Sequence, residues 1–328
     1  MPYKSASLLV LLTLLCLVAL AAALAYGSVP ITPGEIFAAL GGTNTEPQRS
    51  IILELRLPRA LAGFCVGALL ALSGALLQIL LRNPLADPYV LGTSGGAAVG
   101  ALLAMLTGLS GIWLNAGAFI GALLATILVF GIARRDGDWS PARLLLTGII
   151  LAAGWGALIA FILTIAPEHN LRGMLFWLMG DLAAGSPPWM ALALLAVVLL
   201  VSLALARPLN VLLHGELQAR TLGVAVTPLR NIVYVLAAVS TASAVTLAGS
   251  VGFVGLVVPH LLRLAGARDQ RVLLPACALA GGTLVVSADL LARTLWAPQQ
   301  LPVGILTAAI GIPVFLFLLL RQRADVRA

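Results

Sequence analysis

Few residues of this 328-residue chain have side chains suited to chemistry. Charged residues make up 9% and apolar residues 61%, and most charges stand between long apolar runs. The polar candidates inside those runs are Gln78, His260 and Asp289. An acid within an apolar run is the kind of group that carries a coupling proton or ion through a membrane. Arg293 follows Asp289 by four residues, the spacing of neighbours on a helix, which predicts a local ion pair instead of a relay. Gln78 is expected to hydrogen-bond a neighbouring helix, and His260, directly after Pro259, to make a structural contact. Cys16, Cys65 and Cys277 sit in separate runs and are odd in number, so neither a disulfide framework nor a metal cluster is expected. No catalytic residue is assigned. A phosphate-binding loop needs a lysine at the β/γ-phosphates, and the single lysine, Lys4, has no glycine loop beside it. The chain is therefore expected to hold neither ATP nor a cofactor of its own. ATP-driven work would require a separate subunit.

These residues must be positioned by membrane helices. A soluble domain is roughly 45–50% apolar and about 25% charged, so the composition excludes a soluble fold. Cutting the sequence at its polar clusters leaves ten apolar segments, at about 7–26, 58–80, 91–107, 113–133, 142–165, 189–206, 229–248, 251–264, 272–293 and 303–321. A span takes about 20 apolar residues, and the expected fold is an all-α polytopic membrane protein with residues 1–328 in one transmembrane domain. The first run is long for the 7–15-residue apolar core of a signal peptide and is read as a span. The eighth contains Gly252, Gly255 and Pro259 and is expected to be broken or tilted. Gly63 and Gly67, the series Gly92, Gly96 and Gly100, and Gly117 and Gly121 repeat at four-residue spacing, which lets helix backbones approach closely in lipid. Ten spans put both termini on one side. Fourteen of the 19 cations fall on that side, Arg134, Arg135 and Arg327 among them, against Arg49, Arg56, Arg59, Arg172 and Arg293 on the other. The positive-inside rule places both termini in the cytoplasm. Cations scattered in this way form no nucleic-acid patch.

The longest cytoplasmic link, about 207–229, contains Leu213, His214, Glu216, Leu217, Gln218, Arg220, Leu222 and Gly223. It reads as a short amphipathic helix at the membrane face, with Glu216 and Arg220 at pairing distance. An ion-coupled secondary transporter is the competing functional class, and the scarcity of acids within the spans counts against it. An intramembrane enzyme would need H-E-x-x-H or paired acids, and neither is present.

The stretch RLPRALAGFCVGALLALSGALLQILLRNPLADPYVLGTSGGAAVGA (56–101) resembles the first signature of the FecCD-type permeases of bacterial ABC importers. Residues 249–282 and 301–320 resemble the second and third signatures, and GELQARTLGV (215–224) resembles the family's coupling-helix segment. This resemblance implies a type II ABC importer permease. It implies a homodimer with a second copy, two ATP-binding cassette subunits that bind ATP and Mg, and a periplasmic substrate-binding protein. The cargo would be vitamin B12, haem or an iron–siderophore, moved through the bacterial inner membrane by alternating access at the dimer interface. RVLLPACALAG (271–281) and FWLMGDL (176–182) resemble the vitamin B12 permeases most. Residue by residue, the resemblance implies ATPase coupling at Glu216, Gln218, Arg220 and Gly223, and a cytoplasmic gate at Asn83 and Leu85. It implies docking of the binding protein at Arg56, Arg59 and Arg293. Exposed ion pairs contribute about 0.2–1 kcal/mol each, so such arginines act mainly on orientation and encounter rate. A second gate element, where relatives carry small hydroxyl residues, is Ser140-Pro141-Ala142 here.

The orientation is testable with alkaline phosphatase, which is active only outside the cytoplasm. Fusion after Arg172 is expected to be active and fusion after Arg323 inactive; the reverse pattern would invert the topology.

Overall fold

A computed structural model of the chain describes residues 2–27, 29, 31–41, 46–133, 141–183 and 187–325. Among these the regular structure is entirely helical. Every expected span holds a helix: α1 (Pro2–Ala25), α4 (Leu57–Leu80), α5 (Thr93–Leu106), α6 (Ile112–Ala133), α7 (Pro141–Ile165), α9 (Trp189–Ala204), α12 (Val226–Ala248), α13 (Val254–Leu264), α14 (Gln270–Thr294) and α15 (Val303–Asp325). Short helices lie between them: α2 (Pro33–Leu40), α3 (Glu46–Ser50), α8 (Glu168–Met179), α10 (Ala206–Leu213) and α11 (Glu216–Thr221). Hydrophobic length does not reveal these, because most are too short or too polar to register as spans. A π-helical turn, Ile51–Arg56, joins α3 to α4.

Among the described residues six helices are long and apolar enough to cross a membrane, and α9 and α10 pass the same test only as a pair bent by 60°. That bend corrects the expected end of the sixth span at 206. Helices Thr93–Leu106 and Val254–Leu264 are shorter. At 1.5 Å per residue, the 11 residues of α13 rise about 16 Å, well short of the roughly 30 Å hydrocarbon core.

α4 is the axis of the bundle. In the apolar window of Gln48–Leu80, 89% of residues are buried, against 11% in α7. α4 packs on α12, α13 and α14, and α5 pairs with α6. Glycine allows these approaches, as the four-residue spacings predict. A Cβ on Gly67 would lie 2.0 Å from the Gly281 carbonyl oxygen, and one on Gly100 would lie 2.1 Å from that of Gly117. Gly96 and Gly121 repeat the arrangement. Gly92 does not: its φ of +71° terminates the 3₁₀ turn Pro88–Leu91. It therefore serves as a left-handed stop before α5, not as a packing position. An approach closer still joins α4 to α13, where a Cβ on Gly74 would lie 1.9 Å from the Gly255 oxygen.

The outer surface suits lipid. Val18, Ile127, Ile149, Phe161, Leu200 and Phe317 are all more than half exposed. Trp113, Trp189 and Trp296, at the ends of α6, α9 and α14, are 65%, 61% and 68% exposed. Tryptophan gathers at membrane–water interfaces, and these three lie at the helix ends that the cation count assigns to the outer face.

Gly74→Val is expected to lower the melting temperature of the purified protein by several degrees or abolish its accumulation, since overpacking costs about 1–3 kcal/mol or more. Gly154→Ala in α7 is expected to be neutral, because a Cβ there meets nothing within 4 Å. Equal melting temperatures for the two variants would refute the close-packed axis.

Candidate functional site

The segment 215–224, where coupling is expected, is held by charge. Gly215, with φ +121°, leads into α11 and lets the chain turn so that Glu216 points back into the protein. Its carboxylate pairs with Arg230 in the first turns of α12, and Oε1 lies 3.6 Å from Arg82 Nη2. Arg230 is 7% exposed. The expected Glu216–Arg220 pair does not form: Arg220 is exposed and has no acidic partner among the described residues. A buried guanidinium left without a carboxylate costs far more than an exposed one, so Glu216 is held by Arg230. Leu217 and Leu222, 78% and 70% exposed, point outward with Gln218 and Arg220. Gly223, φ +80°, closes α11, with the Val224 N–H donating to Ala219 O at 2.9 Å. The single amphipathic helix expected across this stretch is instead divided at His214 and Gly215: Leu213 ends α10, and the six-residue α11 exposes apolar and polar side chains together.

Asn210 of α10 ties the same region to α14. Its amide donates to Asp269 Oδ1 at 2.8 Å, and the Gln270 N–H donates to Asn210 Oδ1 at 3.0 Å. Asp269 caps α14, and the Arg271 N–H with the Asn210 amide holds its carboxyl below the ordinary aspartate value.

The candidate gate turn follows α4 directly. The Arg82 N–H donates to Ile79 O and the Asn83 N–H to Gln78 O, both at 3.2 Å. This is the Schellman pattern, which ordinarily places glycine in the left-handed position. Arg82 occupies that position with φ +48°. Asn83 Oδ1 accepts from the Leu85 N–H at 2.9 Å, and Leu85 is exposed. Gln78 bonds a neighbouring helix as expected. Pro259 has no N–H for the Gly255 carbonyl four residues earlier in α13, and the Gln78 amide lies 3.4 Å from that oxygen and 3.2 Å from Leu256 O. Gln78 Oε1 accepts from Arg263 in the last turn of α13. His260 is buried in α13. In the second gate element, Pro141 begins α7 and Ala142 is exposed, while Ser140 lies outside the described residues, as do Arg134, Arg135 and Arg327.

At the outer end, Arg293 Nε lies 3.2 Å from Asp289 Oδ2, confirming the local pair, although without hydrogen-bond geometry. The stronger partner comes from α4. Arg59 Nε contacts both Asp289 oxygens at 3.1 Å, and its Nη2 donates to Oδ1 at 2.8 Å. Arg59 also donates to Gln300. Arg56 is 6% exposed and turns inward, with Nη1 donating to Leu24 O at 2.6 Å and Nη2 to Val29 O. These carbonyls lie at and after the C-terminus of α1, where a cation is favoured. Arg293 Nη2 donates to Ala23 O at 3.2 Å. The three expected docking arginines thus share one neighbourhood, and all three are committed to internal partners, Arg59 to Asp289 and Gln300. A feature that spacing does not flag is a cavity of about 560 Å³ between α5, α6 and α8, lined by Met105, Asn115, His169, Arg172, Trp177 and Asp181. Among the described residues no group of three His, Cys, Asp or Glu is placed to hold a metal.

The model of the FecCD transport family matches residues 14–321. The chain is 43% identical over 317 residues to the vitamin B12 import system permease protein BtuC of Klebsiella pneumoniae, covering 95% of this chain and 93% of that protein. It is 41% identical over 320 residues to BtuC of Escherichia coli O9:H4, covering 96% and 95%. A solved structure described as an inward-facing conformation of a metal-chelate type ABC transporter superposes with TM-score 0.85 at 34% identity, over 96% of this chain and 99% of that one. PsaBC from Streptococcus pneumoniae, solved with a Fab, shares the fold alone, with TM-score 0.54 at 17% identity over 82% and 92% of the two chains.

The outer cluster predicts an order of stabilities. Asp289→Asn strands two mostly buried guanidinium groups and is expected to cost about 3–5 kcal/mol. Arg59→Gln leaves Asp289 beside Arg293 and is expected to cost less. Thermal unfolding in detergent measures both; an inverted order would remove Asp289 as the keystone of the cluster.

Proposed function

The chain belongs to the FecCD transport family, and on that basis we propose that it is the permease subunit of an ATP-driven importer of vitamin B12. Identity of 41–43% to named vitamin B12 import permeases across at least 95% of the chain carries this reading. Haem and iron–siderophore complexes are the other cargoes within the metal-chelate class. Cargo moves from the periplasm to the cytoplasm between two copies of this chain, by alternating access. The weakly buried α7 leaves surface for such a pairing.

The energy comes from a partner. Two ATP-binding cassette subunits, which bind ATP and Mg, dock on the cytoplasmic face at Leu217, Gln218, Arg220 and Leu222. These side chains project from α11 and its end. Gly223 sets the turn that presents them, and Glu216 fastens the helix from behind. Asn83 and Leu85 form the cytoplasmic gate. On the periplasmic face a substrate-binding protein meets the outer arginine cluster. Arg56, Arg59 and Arg293 all supply positive potential from positions where they already hold internal partners. The cluster carries one acid against three cations, which favours an acidic partner.

An ion-coupled mechanism finds little support in Asp289. Its carboxylate is committed to Arg59 and Arg293, the arrangement of a structural ion pair and not of a group free to carry a coupling ion.

The test is uptake of labelled cyanocobalamin into proteoliposomes containing this chain, its ATPase subunits and the binding protein. Uptake is expected to require ATP and to survive a protonophore. Uptake without ATP that collapses with the proton gradient would establish secondary transport instead. Competition by haemin or a ferric siderophore, with no effect of cobalamin, would reassign the cargo.

A further inference from the structure

Arg82 occupies a position where the local backbone asks for glycine. It is the left-handed residue of the Schellman motif that ends α4, with φ +48°. A side chain there is strained, so its retention calls for a compensating contact. That contact is visible. Arg82 Nη2 lies 3.6 Å from Glu216 Oε1, the oxygen that Arg230 also engages. A Cβ on Gly215, the residue that opens α11, would lie 4.0 Å from Arg82 Nη1.

Three elements meet at this carboxylate. One is α11, whose outer face is exposed. The second is the first part of α12, through buried Arg230. The third is the turn 83–86, one peptide bond beyond Arg82. That turn is internally braced by Asn83, whose carbonyl accepts from the Ala86 N–H at 3.1 Å and whose side chain accepts from the Leu85 N–H. Its far end approaches Gln78 Nε2 at Ala86 O, and Gln78 in turn holds α13. A displacement of α11 therefore has a short, charged and mechanically continuous route into the turn. Its first step is an ion pair with Arg82 partly exposed, and its later steps are hydrogen bonds; connected networks of this kind can carry coupling between sites.

We propose that Arg82 is a positioning residue that links α11 to the 83–86 turn through Glu216, so that movement of the ATPase-facing helix is transmitted to the gate. The inference rests on the permease reading above and adds the connecting element. Arg230 fastens Glu216 to the body of the protein; Arg82 passes its motion on.

Arg82→Gly separates this role from a structural one. Glycine suits the left-handed position, so the melting temperature of the complete transporter complex is expected to be unchanged or higher. The number of substrate molecules imported per ATP hydrolysed is expected to fall about tenfold, within the range of coupling-residue effects. Arg82→Lys restores part of the ratio, and Glu216→Gln lowers it in the same direction. A wild-type ratio in Arg82→Gly overturns the proposal. So does a parallel fall in melting temperature, hydrolysis and uptake that leaves the ratio intact, which marks a merely structural residue. If the wild-type complex shows no ATP-dependent uptake at all, the permease reading fails as well, and the wild-type control identifies that case.

Discussion

The contact between α4 and α13 organises much of the interior. With no side chain on Gly74, the Gly255 carbonyl sits against the α4 backbone. At that distance Gln78, one turn further along α4, reaches the carbonyl that Pro259 deprives of its helical donor. An unsatisfied carbonyl in a lipid-surrounded interior costs several kcal/mol. The close approach thus permits a proline within α13, and Gln78 meets the demand the proline creates. The same amide side chain receives Arg263 and lies beside the turn after α4. Packing, helix irregularity and the turn after α4 are therefore one arrangement.

Charge follows a related rule at both ends of the bundle. In a medium of low dielectric a buried ion persists when paired and hydrogen-bonded. Asp289 meets this condition with arginines from α4 and its own helix, while Arg56 meets it with carbonyls at the end of α1. At the other end Glu216 gathers Arg82 and Arg230. Each cluster joins elements distant in sequence. The outer one fastens α1 and α14 to α4. The inner one fastens the surface helix α11 to the structural axis, which explains how so few charges can organise so large a chain.

Several of these features are legible in the residue pattern. The spans, the Asp289–Arg293 neighbourhood, the link containing α11 and the helix-to-helix role of Gln78 all follow from local spacing. The glycine pairs at four-residue intervals point to close packing, correctly for Gly67, Gly96, Gly100, Gly117 and Gly121. Gly92 departs from that expectation because periodicity does not report φ. The Glu216–Arg220 pair fails because helical spacing describes an isolated helix, and burial at Arg230 changes the competition for that carboxylate. The short helices α2, α3 and α8 and the bend at Leu205 leave little trace in hydrophobic length, so spacing alone does not reveal them.

By itself, the sequence determined the class of protein, since the scarcity of charge and the length of the apolar runs admit a membrane bundle and little else. The order of its motifs carried the family. Tertiary structure alone decided which charges meet. Arg59 and Asp289 stand 230 residues apart and Glu216 answers to two helices at once. Hydrophobic length specifies which segments can lie in a membrane, because that depends on each segment alone; α4 and α7 are equally apolar, and only packing makes one the buried axis and leaves the other exposed. Ion-pair partners depend on the distance between segments and on the burial that folding imposes, and neither quantity exists until the helices have packed.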